Sequence, residues 1–425
     1  MIQNILDKAK TIHFIGIGGI GMSAIAKLLH DKGYQISGSD LDYNAQTQEL
    51  EHIGANIYHK HDANNIESPD LVVYSLAIPN SNPELEAAKS QNIPCLTYPQ
   101  ALGEITKDYK LIAVAGTHGK TTTTGMLSQI LIENNYDPTI IIGSTSELLG
   151  NENYRFGNSE WMLIEACEYH QGFLHFHPEV TLITNLEHDH FDAYPTEESY
   201  LKAFQELLNK TKSHSIINTD LPLSQKLEAK TAVTKFKAGT QKIELQVPGD
   251  HNNTNAIGAL RTAEAIGIDS EQAKLSLKNF KGTGRRLEFI KEEEGQIFYD
   301  DYGHHPTEIK AVLKSLKQEY PSKSICIIFQ AHQHNRTEAL LNEFVKSFEL
   351  ASKVIIPNIY KARDTKQQIE NMTAKKFAEE ISKVHRNCIY SDGLENTKLN
   401  LKELTKGYNI VLVMGAGDVF KIIRD

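Results

Sequence analysis

Cysteine is scarce in this chain and is not arranged in pairs. Four cysteines occur among 425 residues, and no two of them have C-x-x-C spacing. Disulfide-framework domains and cysteine zinc sites both depend on clustered cysteines, so the sequence argues against both classes. We expect the thiols to be reduced and structural.

Long hydrophobic runs and an excess of basic residues are also missing. No apolar stretch approaches the length that crosses a bilayer, and the N-terminus lacks the basic and apolar regions of a secretory signal. The net charge is −10, which disfavours binding to nucleic acid or to an anionic membrane surface. With 40% hydrophobic and 23% charged residues, the composition is that of a globular enzyme, which we expect in the cytoplasm.

A glycine turn joins an apolar segment at 111–115 to a predicted helix. The turn, Gly-Thr-His-Gly, occupies 116–119, and Lys120 and Thr121 follow it. Unpaired N–H groups at a helix start attract phosphate, a lysine adds a cation for the β- and γ-phosphates, and the next hydroxyl can bind Mg²⁺. The match to G-x-x-x-x-G-K-[ST] is incomplete, because Val114 stands at the first glycine position. The pattern favours nucleotide binding over an ordinary glycine turn.

A second glycine loop lies near the N-terminus. Gly16, Gly18 and Gly21 stand between a predicted strand and a predicted helix, and Asp40 ends the next strand. This pattern predicts a pyrophosphate site in which the acid binds a ribose hydroxyl. NAD, FAD, a UDP-sugar or purely structural glycines all fit the motif alone. The phosphate loop at 116–121 argues against an oxidoreductase, because an oxidoreductase does not need such a loop.

Acidic residues and histidines follow two further predicted strands. Glu165 ends an apolar strand, and a second cluster at 185–192 includes His190. Both clusters fall at the carboxyl ends of strands, where open α/β sheets bind ligands. Carboxylate oxygen is a ligand that Mg²⁺ prefers. The alternative is that the histidines cap loops and the acidic side chains are solvated. The phosphate loop upstream in the same predicted sheet makes a metal site the better interpretation.

Strands and helices alternate along the chain, which predicts parallel sheets covered on both faces. We predict an α/β protein of three domains: an N-terminal Rossmann-like domain over 1–107, a central P-loop ATPase-type domain with a mainly parallel sheet over 108–293, and a C-terminal Rossmann-like domain over 294–425. The charged, glycine-containing segment 291–296 is predicted to be a hinge.

Six ordered segments resemble the motifs of the Mur ligase family, and the resemblance extends over essentially the full length. The segments are 16–23 with 37–40, 115–122, 185–190, 248–256, 282–286 and 300–306. The family variant of the phosphate loop accounts for the missing first glycine. A further segment, 330–337, resembles F-Q-P-H-x-x-x-R-T, with Gln333 where some members carry a second arginine.

The resemblance implies an ATP-dependent ligase of peptidoglycan precursor synthesis. The chain is most similar to members that join L-alanine to the lactyl carboxylate of UDP-N-acetylmuramic acid through an acyl phosphate. ATP and Mg²⁺ are the implied cofactors. UDP-N-acetylmuramic acid and L-alanine are the implied partners, with no nucleic acid and no membrane, and the oligomeric state stays open.

The resemblance also implies roles for individual residues. Those implied to bind the UDP-sugar are Gly16, Gly18, Gly19, Gly21, Met22, Ser23, Asp40, Ser75, Ala77 and His118. Those implied to bind ATP are Gly116, Thr117, His118, Gly119, Lys120, Thr121, Thr122, His251, Asn252, Arg286 and Asp301. Those implied to bind Mg²⁺ are Thr121, Glu165 and His190. The implied catalytic residues are Lys120, Tyr302, His304 and Arg336. Arg336 is expected on the amino-acid side because a guanidinium suits an alanine carboxylate.

Two alternatives stay open at this point. One is a recycling ligase that attaches a whole tripeptide to the same UDP-sugar acid, and His332 with Arg336 favours the single amino acid over it. The other, from a different class, is an NAD-dependent oxidoreductase with an added nucleotide-binding domain.

Overall fold

The computed structural model describes residues 5–362 and 364–424. The chain forms two compact units. The first unit comprises Met1–Glu244 and Asn255–Phe280, and the second comprises Leu245–Thr254 and Lys281–Asp425. Within the described ranges, no helix has both the length and the apolar character needed to cross a bilayer.

The first sheet has five parallel strands and lies in the first unit. Its elements are β1 (Thr11–Ile15), α1 (Ile20–Asp31), β2 (Gln35–Ser39), α2 (Ala45–His52), β3 (Asn56–Tyr58), β4 (Leu71–Tyr74), α3 (Pro83–Ser90), β5 (Cys95–Thr97) and α4 (Tyr98–Thr106). The strand order is β3-β2-β1-β4-β5. The order reverses between β1 and β4, which places the glycine loop after β1 at the point where open α/β sheets bind ligands.

The second sheet, also in the first unit, has seven strands. Its elements are β6 (Lys110–Ala115), α5 (Lys120–Glu133), β7 (Thr139–Ser146), β8 (Glu152–Arg155), β9 (Trp161–Glu165), β10 (Val180–Ile183), α6 (Glu197–Lys210), β11 (His214–Asn218), α7 (Pro222–Gln225), β12 (Ala232–Phe236), α8 (Asp250–Ala265) and α9 (Ser270–Lys278). The order is β12-β11-β10-β6-β9-β7-β8, and the β7–β8 pair is antiparallel. Strand β6 lies between β10 and β9 and is parallel to both. The phosphate loop and both acidic clusters therefore leave neighbouring strands at the same edge, as predicted.

One hydrophobic core joins these two sheets. A single cluster of buried side chains includes Phe14 of β1, Leu102 of α4, Ile164 of β9 and Phe204 of α6. Polar contacts cross the same boundary, because the buried Lys27 ammonium of α1 lies 2.6 Å from Glu152 Oε2 of β8 and also pairs with a carboxylate of α2. The two sheets of the first unit therefore share their packing.

The third sheet lies in the second unit. Its elements are β13 (Glu288–Glu293), β14 (Gln296–Asp301), α10 (Pro306–Glu319), β15 (Ile325–Phe329), β16 (Ala331–His332), α11 (His334–Ala339), α12 (Leu341–Val345), β17 (Lys353–Ile356), β18 (Ile359–Tyr360), α13 (Lys366–Asn371), α14 (Ala374–Ser382), β19 (Cys388–Tyr390), α15 (Leu394–Leu399), α16 (Leu401–Thr405) and β20 (Ile410–Met414). The order is β13-β14-β20-β15-β17-β19, with β16 and β18 forming a separate pair. The three sheets confirm the α/β class and the three-part organisation predicted from the sequence. The domain limits at 107 and 293 stay predictions.

The predicted hinge at 291–296 is wrong. Its first three residues belong to β13, which pairs antiparallel with β14, and the segment is a hairpin inside the second unit. Strand β13 lies at the sheet edge and is mostly exposed, with Lys291 and three glutamates on it. Charged residues are common on edge strands because they discourage pairing with other chains. The charge run that resembled a linker is thus an exposed strand.

Candidate active site

The phosphate loop between β6 and α5 is built on two glycines with positive φ. Gly116 has φ 136° and Gly119, the N-cap of α5, has φ 78°. A Cβ at Gly116 would overlap the Thr184 hydroxyl, and one at Gly119 would lie 2.5 Å from Asn255 Oδ1. Both positions therefore require glycine for conformation and for space.

Lys120 is folded against its own loop. Its Nζ donates to the carbonyl oxygens of Gly116 at 2.5 Å and Thr117 at 3.1 Å, and lies 3.0 Å from Glu168 Oε2. An ammonium has three protons, so a phosphate must replace one of these acceptors. Burial lowers the pKa of Lys120, but Glu168 and neighbouring acidic groups raise it by more, and the net pKa lies above its ordinary value. The side chain is thus a fixed cation at the start of α5.

Thr121 and Glu165, which the resemblance implies as Mg²⁺ ligands, are in contact. The Thr121 hydroxyl donates to Glu165 Oε2 at 2.8 Å, and the Gly143 N–H of β7 donates to the same oxygen at 3.0 Å. A Cβ at Gly143 would lie 2.5 Å from this carboxylate, so only glycine leaves room for it. A hydroxyl and a carboxylate side by side form an oxygen donor pair that suits Mg²⁺.

Glu168 is a functional candidate that the sequence reasoning did not select. Its side chain is fully buried, accepts from the Tyr200 hydroxyl at 3.3 Å, and lies 3.6 Å from His190 Nε2 through Oε1. The predicted metal ligand His190 is therefore adjacent to Glu168, the carboxylate that pairs with Lys120. A second acid three positions after Glu165 was the available signal.

The loop after β10 holds the phosphate loop in place. The Asn185 side chain accepts from the His118 N–H and donates to the His118 carbonyl, both at 2.9 Å. The Thr117 hydroxyl donates to the Glu187 carbonyl at 2.8 Å, and His118 Nε2 lies 3.1 Å from Glu187 Oε2. Thr122 is buried in the first turn of α5. These contacts fix the backbone of the loop, and sequence reasoning noted Asn185 only as part of a motif.

The glycine loop after β1 is joined directly to Asp40. Gly18 N–H donates to Asp40 Oδ2 at 2.8 Å, and Asn44 Nδ2 donates to the Gly18 carbonyl at 3.2 Å. Gly16 has φ 81°, and a Cβ there would lie 3.2 Å from the Ser75 Cβ. Asp40 thus lies at the loop where the sequence predicts a diphosphate.

The other predicted residues of this loop lie close by. Gly19 is the N-cap of α1 and provides no side-chain cap. Met22 and Ser23 are buried in the first turn of α1, where the Ser23 hydroxyl donates to the Ile20 carbonyl at 3.1 Å. Ala77 N–H donates to the Ser75 hydroxyl at 3.3 Å in the turn after β4. Gly21 packs against the aromatic ring of Tyr98.

His251 and Asn252 lie in the first turn of α8, which belongs to the second unit, whereas the rest of this helix from Asn255 belongs to the first. Asn252 Nδ2 donates to the Pro248 carbonyl at 2.7 Å, and Ser315 Oγ lies 3.4 Å from His251 Nδ1. Gly249, with φ 105°, makes the turn before the helix. Burial lowers the pKa of His251 to about 4, so this imidazole is neutral at pH 7. A neutral ring is suited to packing against a base.

Asp301 and Arg286 are neighbours in the second unit. Asp301 accepts from the Gly303 N–H and the Leu287 N–H, both at 2.7 Å. Burial raises the pKa of Asp301 to about 6, and the Arg286 charge opposes that shift. The Arg286 guanidinium lies 4.9 Å from the centre of the Tyr302 ring. These two ATP-side predictions therefore cluster with Tyr302.

Aromatic rings form a row from Tyr302 onward. The ring centres of Tyr302 and His304 are 5.9 Å apart, those of His304 and His332 are 5.6 Å apart, and His332 is stacked on Tyr360 at 5.5 Å. Arg336 is buried in α11, which begins after Gln333 with φ 71°. Tyr302 and His304 are thus brought together, while Arg336 lies on a separate short helix.

Family models match three successive parts of the chain. They describe the Mur ligase family catalytic domain at residues 11–110, the Mur ligase middle domain at 114–240, and the Mur ligase glutamate ligase domain at 285–417. A UDP-N-acetylmuramate–L-alanine ligase of Caldanaerobacter subterraneus subsp. tengcongensis is 37% identical over 450 residues, covering 98% of this chain and 97% of the relative. The chain belongs to the Mur ligase family.

Two further relatives of this Mur ligase carry the same description. A UDP-N-acetylmuramate–L-alanine ligase of Acetivibrio thermocellus is 38% identical, with 99% of this chain and 96% of the relative covered. The crystal structure of a UDP-N-acetylmuramate-alanine ligase from Thermotoga maritima superposes with a TM-score of 0.82 at 27% identity, covering 97% of each chain. The family resemblance inferred from the motifs is confirmed, and neither open alternative is favoured by these relatives.

Proposed function

We propose that this chain is an ATP-dependent ligase that joins L-alanine to the lactyl carboxylate of UDP-N-acetylmuramic acid in the cytoplasm. The contact between Thr121 and Glu165 beside Lys120 carries the proposal, since it combines a cation for phosphate with an oxygen donor pair for Mg²⁺. The glycine loop with Asp40 supplies a separate diphosphate seat in the same unit. The relatives described above support the choice of substrates.

The reaction needs both the ATP site and the UDP-sugar site, because a carboxylate is a poor acyl donor and must first be activated. ATP would phosphorylate the lactyl carboxylate, and the amine of L-alanine would displace phosphate from the acyl phosphate through a tetrahedral intermediate. Lys120 and the loop N–H groups would hold the β- and γ-phosphates, and Thr121, Glu165 and His190 would hold Mg²⁺, which neutralises phosphate charge when bound. His251 and Asn252 would contact adenine, with Arg286 and Asp301 also on the nucleotide side.

The amino-acid side is assigned to Tyr302, His304 and Arg336. A guanidinium can bind an alanine carboxylate through two hydrogen bonds, and Arg336 is the buried arginine of α11. Because Gln333 stands where some family members carry a second arginine, neutral hydrogen-bond donors would bind the rest of the alanine carboxylate.

A phosphate-release assay on the purified chain tests the proposal. Activity is expected with ATP, Mg²⁺, UDP-N-acetylmuramic acid and L-alanine together. The same assay should be run with L-serine, glycine and the cell-wall tripeptide in place of L-alanine. A response to the tripeptide alone would overturn the choice of amino acid, and saturable NAD binding without UDP-sugar binding would overturn the ligase.

A further inference from the structure

Tyr98 lies between the glycine loop that follows β1 and the segment that follows β9. A Cβ placed on Gly21 would be 2.8 Å from both Cζ and the hydroxyl oxygen of Tyr98, so the phenol packs against the first turn of α1. Burial raises the pKa of Tyr98, and the nearby Cys167 and Glu165 raise it further. The phenol therefore packs against the glycine loop, and its helix α4 also packs against the segment after β9, where a Cβ at Gly103 would lie 2.9 Å from the His175 side chain.

The Tyr98 hydroxyl is available to a ligand. It makes no hydrogen bond within residues 5–362 and 364–424, although its ring is half-buried. The neighbouring buried tyrosines differ, because Tyr194 donates to the Glu168 carbonyl and Tyr200 contacts Thr117 at 3.0 Å. The Tyr98 hydroxyl is not among the fully buried unpaired polar atoms, so water or a ligand can reach it beside the glycine loop.

The position of Tyr98 is fixed by its helix. It is the first residue of α4, and Gln100 Oε1 accepts from both the N–H and the hydroxyl of Thr97, each at 2.9 Å. Pro99 packs against the turn after β9, where a Cβ at Gly172 would lie 3.1 Å from it. A donor held in place on both sides loses little freedom when it binds a ligand.

We propose that the Tyr98 hydroxyl donates a hydrogen bond to the sugar-acid part of the UDP-linked substrate, between the glycine loop and the Lys120–Glu165 site. This inference rests on the proposed function. The sugar must connect a diphosphate at α1 to a carboxylate at the phosphate loop, and the Tyr98 hydroxyl is an uncharged donor beside the first of these positions.

The test is Tyr98→Phe in the full chain, which keeps the ring against Gly21 and removes the hydroxyl. The KM for UDP-N-acetylmuramic acid should rise roughly five- to tenfold, as for loss of one hydrogen bond, while the KM values for ATP and L-alanine stay unchanged. Calorimetry should show weaker binding of UDP-N-acetylmuramic acid by a similar factor and unchanged binding of UDP alone.

Tyr34→Phe is the matched control. Its hydroxyl donates to the Leu6 carbonyl at 3.2 Å, at the amino end of the sheet, so removing it should leave both ligands unaffected. Three outcomes for Tyr98→Phe would each overturn the inference. The KM for UDP-N-acetylmuramic acid could stay at the wild-type value, the KM for ATP could rise by the same factor, or the binding of UDP alone could weaken by the same factor. A wild-type chain without ligase activity would instead refute the proposed function, and the calorimetric comparison would still decide the role of Tyr98.

Discussion

Replacing Lys120 by alanine should abolish ligase activity and also destabilise the first unit. The ammonium that would serve the phosphates is also the partner of Glu168, at 3.0 Å. The Lys120 side chain is 12% exposed and that of Glu168 is 1% exposed, so water cannot take over the role of the lysine. Alanine at this position leaves a buried carboxylate beside the Tyr200 hydroxyl and His190.

The magnitude follows from the burial of this pair. Deleting one partner of a buried ion pair costs about 3–5 kcal/mol, because the remaining charge is uncompensated. The hydrogen bond from Tyr200 offsets part of that cost, so we expect a loss of about 3 kcal/mol in the free energy of unfolding. The double variant Lys120→Ala/Glu168→Gln removes the carboxylate charge too, and should recover most of the stability without restoring activity.

Urea unfolding, phosphate release and UDP-sugar calorimetry measure the three effects separately. UDP-sugar affinity should stay near wild type in Lys120→Ala, because the glycine loop belongs to the other sheet. Lys110→Ala is the matched control: it breaks the solvent-exposed pair with Glu160 at 2.7 Å, and loss of an exposed pair should change the stability little. Lys120→Ala that costs no more than this control, or a double variant no more stable than the single one, would refute the role of the buried ion pair.

Three further changes test other parts of the molecule. Gly18→Ala should weaken UDP-sugar binding but not ATP binding in calorimetry, since the new Cβ would lie 2.9 Å from Asn44 Nδ2 and 3.0 Å from Asp40 Oδ2; equal loss of both affinities would contradict it. Thr121→Val should raise the Mg²⁺ concentration for half-maximal activity, whereas Thr121→Ser should not, as a magnesium titration would show. Burial lowers the pKa of His251 from 6.5 to about 4, so the unfolded chain binds more protons between these values and stability falls as the pH falls. His251→Gln should flatten that slope in urea unfolding, and an unchanged slope would count against a buried neutral imidazole.

Local patterns predicted much of the fold and part of the site. The glycine loops could be recognised because close backbone approach and positive φ are encoded at single positions such as Gly16 and Gly119. The contact of Thr121 with Glu165 followed from the rule that the carboxyl ends of parallel strands meet at one edge. These features depend on short stretches of chain and on the sheet that joins them.

Features that depend on packing between distant segments could not be predicted in the same way. Glu168 becomes significant because Lys120 and Tyr200 converge on it, and no local pattern encodes that convergence. No sequence pattern distinguishes Tyr98 from any other aromatic residue at the start of a helix. Strand β13 was missed because an exposed edge strand lacks the apolar alternation that marks a half-buried one.

The shared core of the first two sheets has a practical consequence for dissecting the molecule. Separating the chain between 107 and 108 would expose the apolar side chains that the two sheets bury against each other, and Lys27 would lose its contact with Glu152. The leading sheet should not fold cooperatively by itself, so a minimal UDP-sugar-binding fragment would have to extend through the second sheet. Expressing the leading sheet alone should give an aggregating polypeptide, whereas residues 1–280 retain every contact of that core.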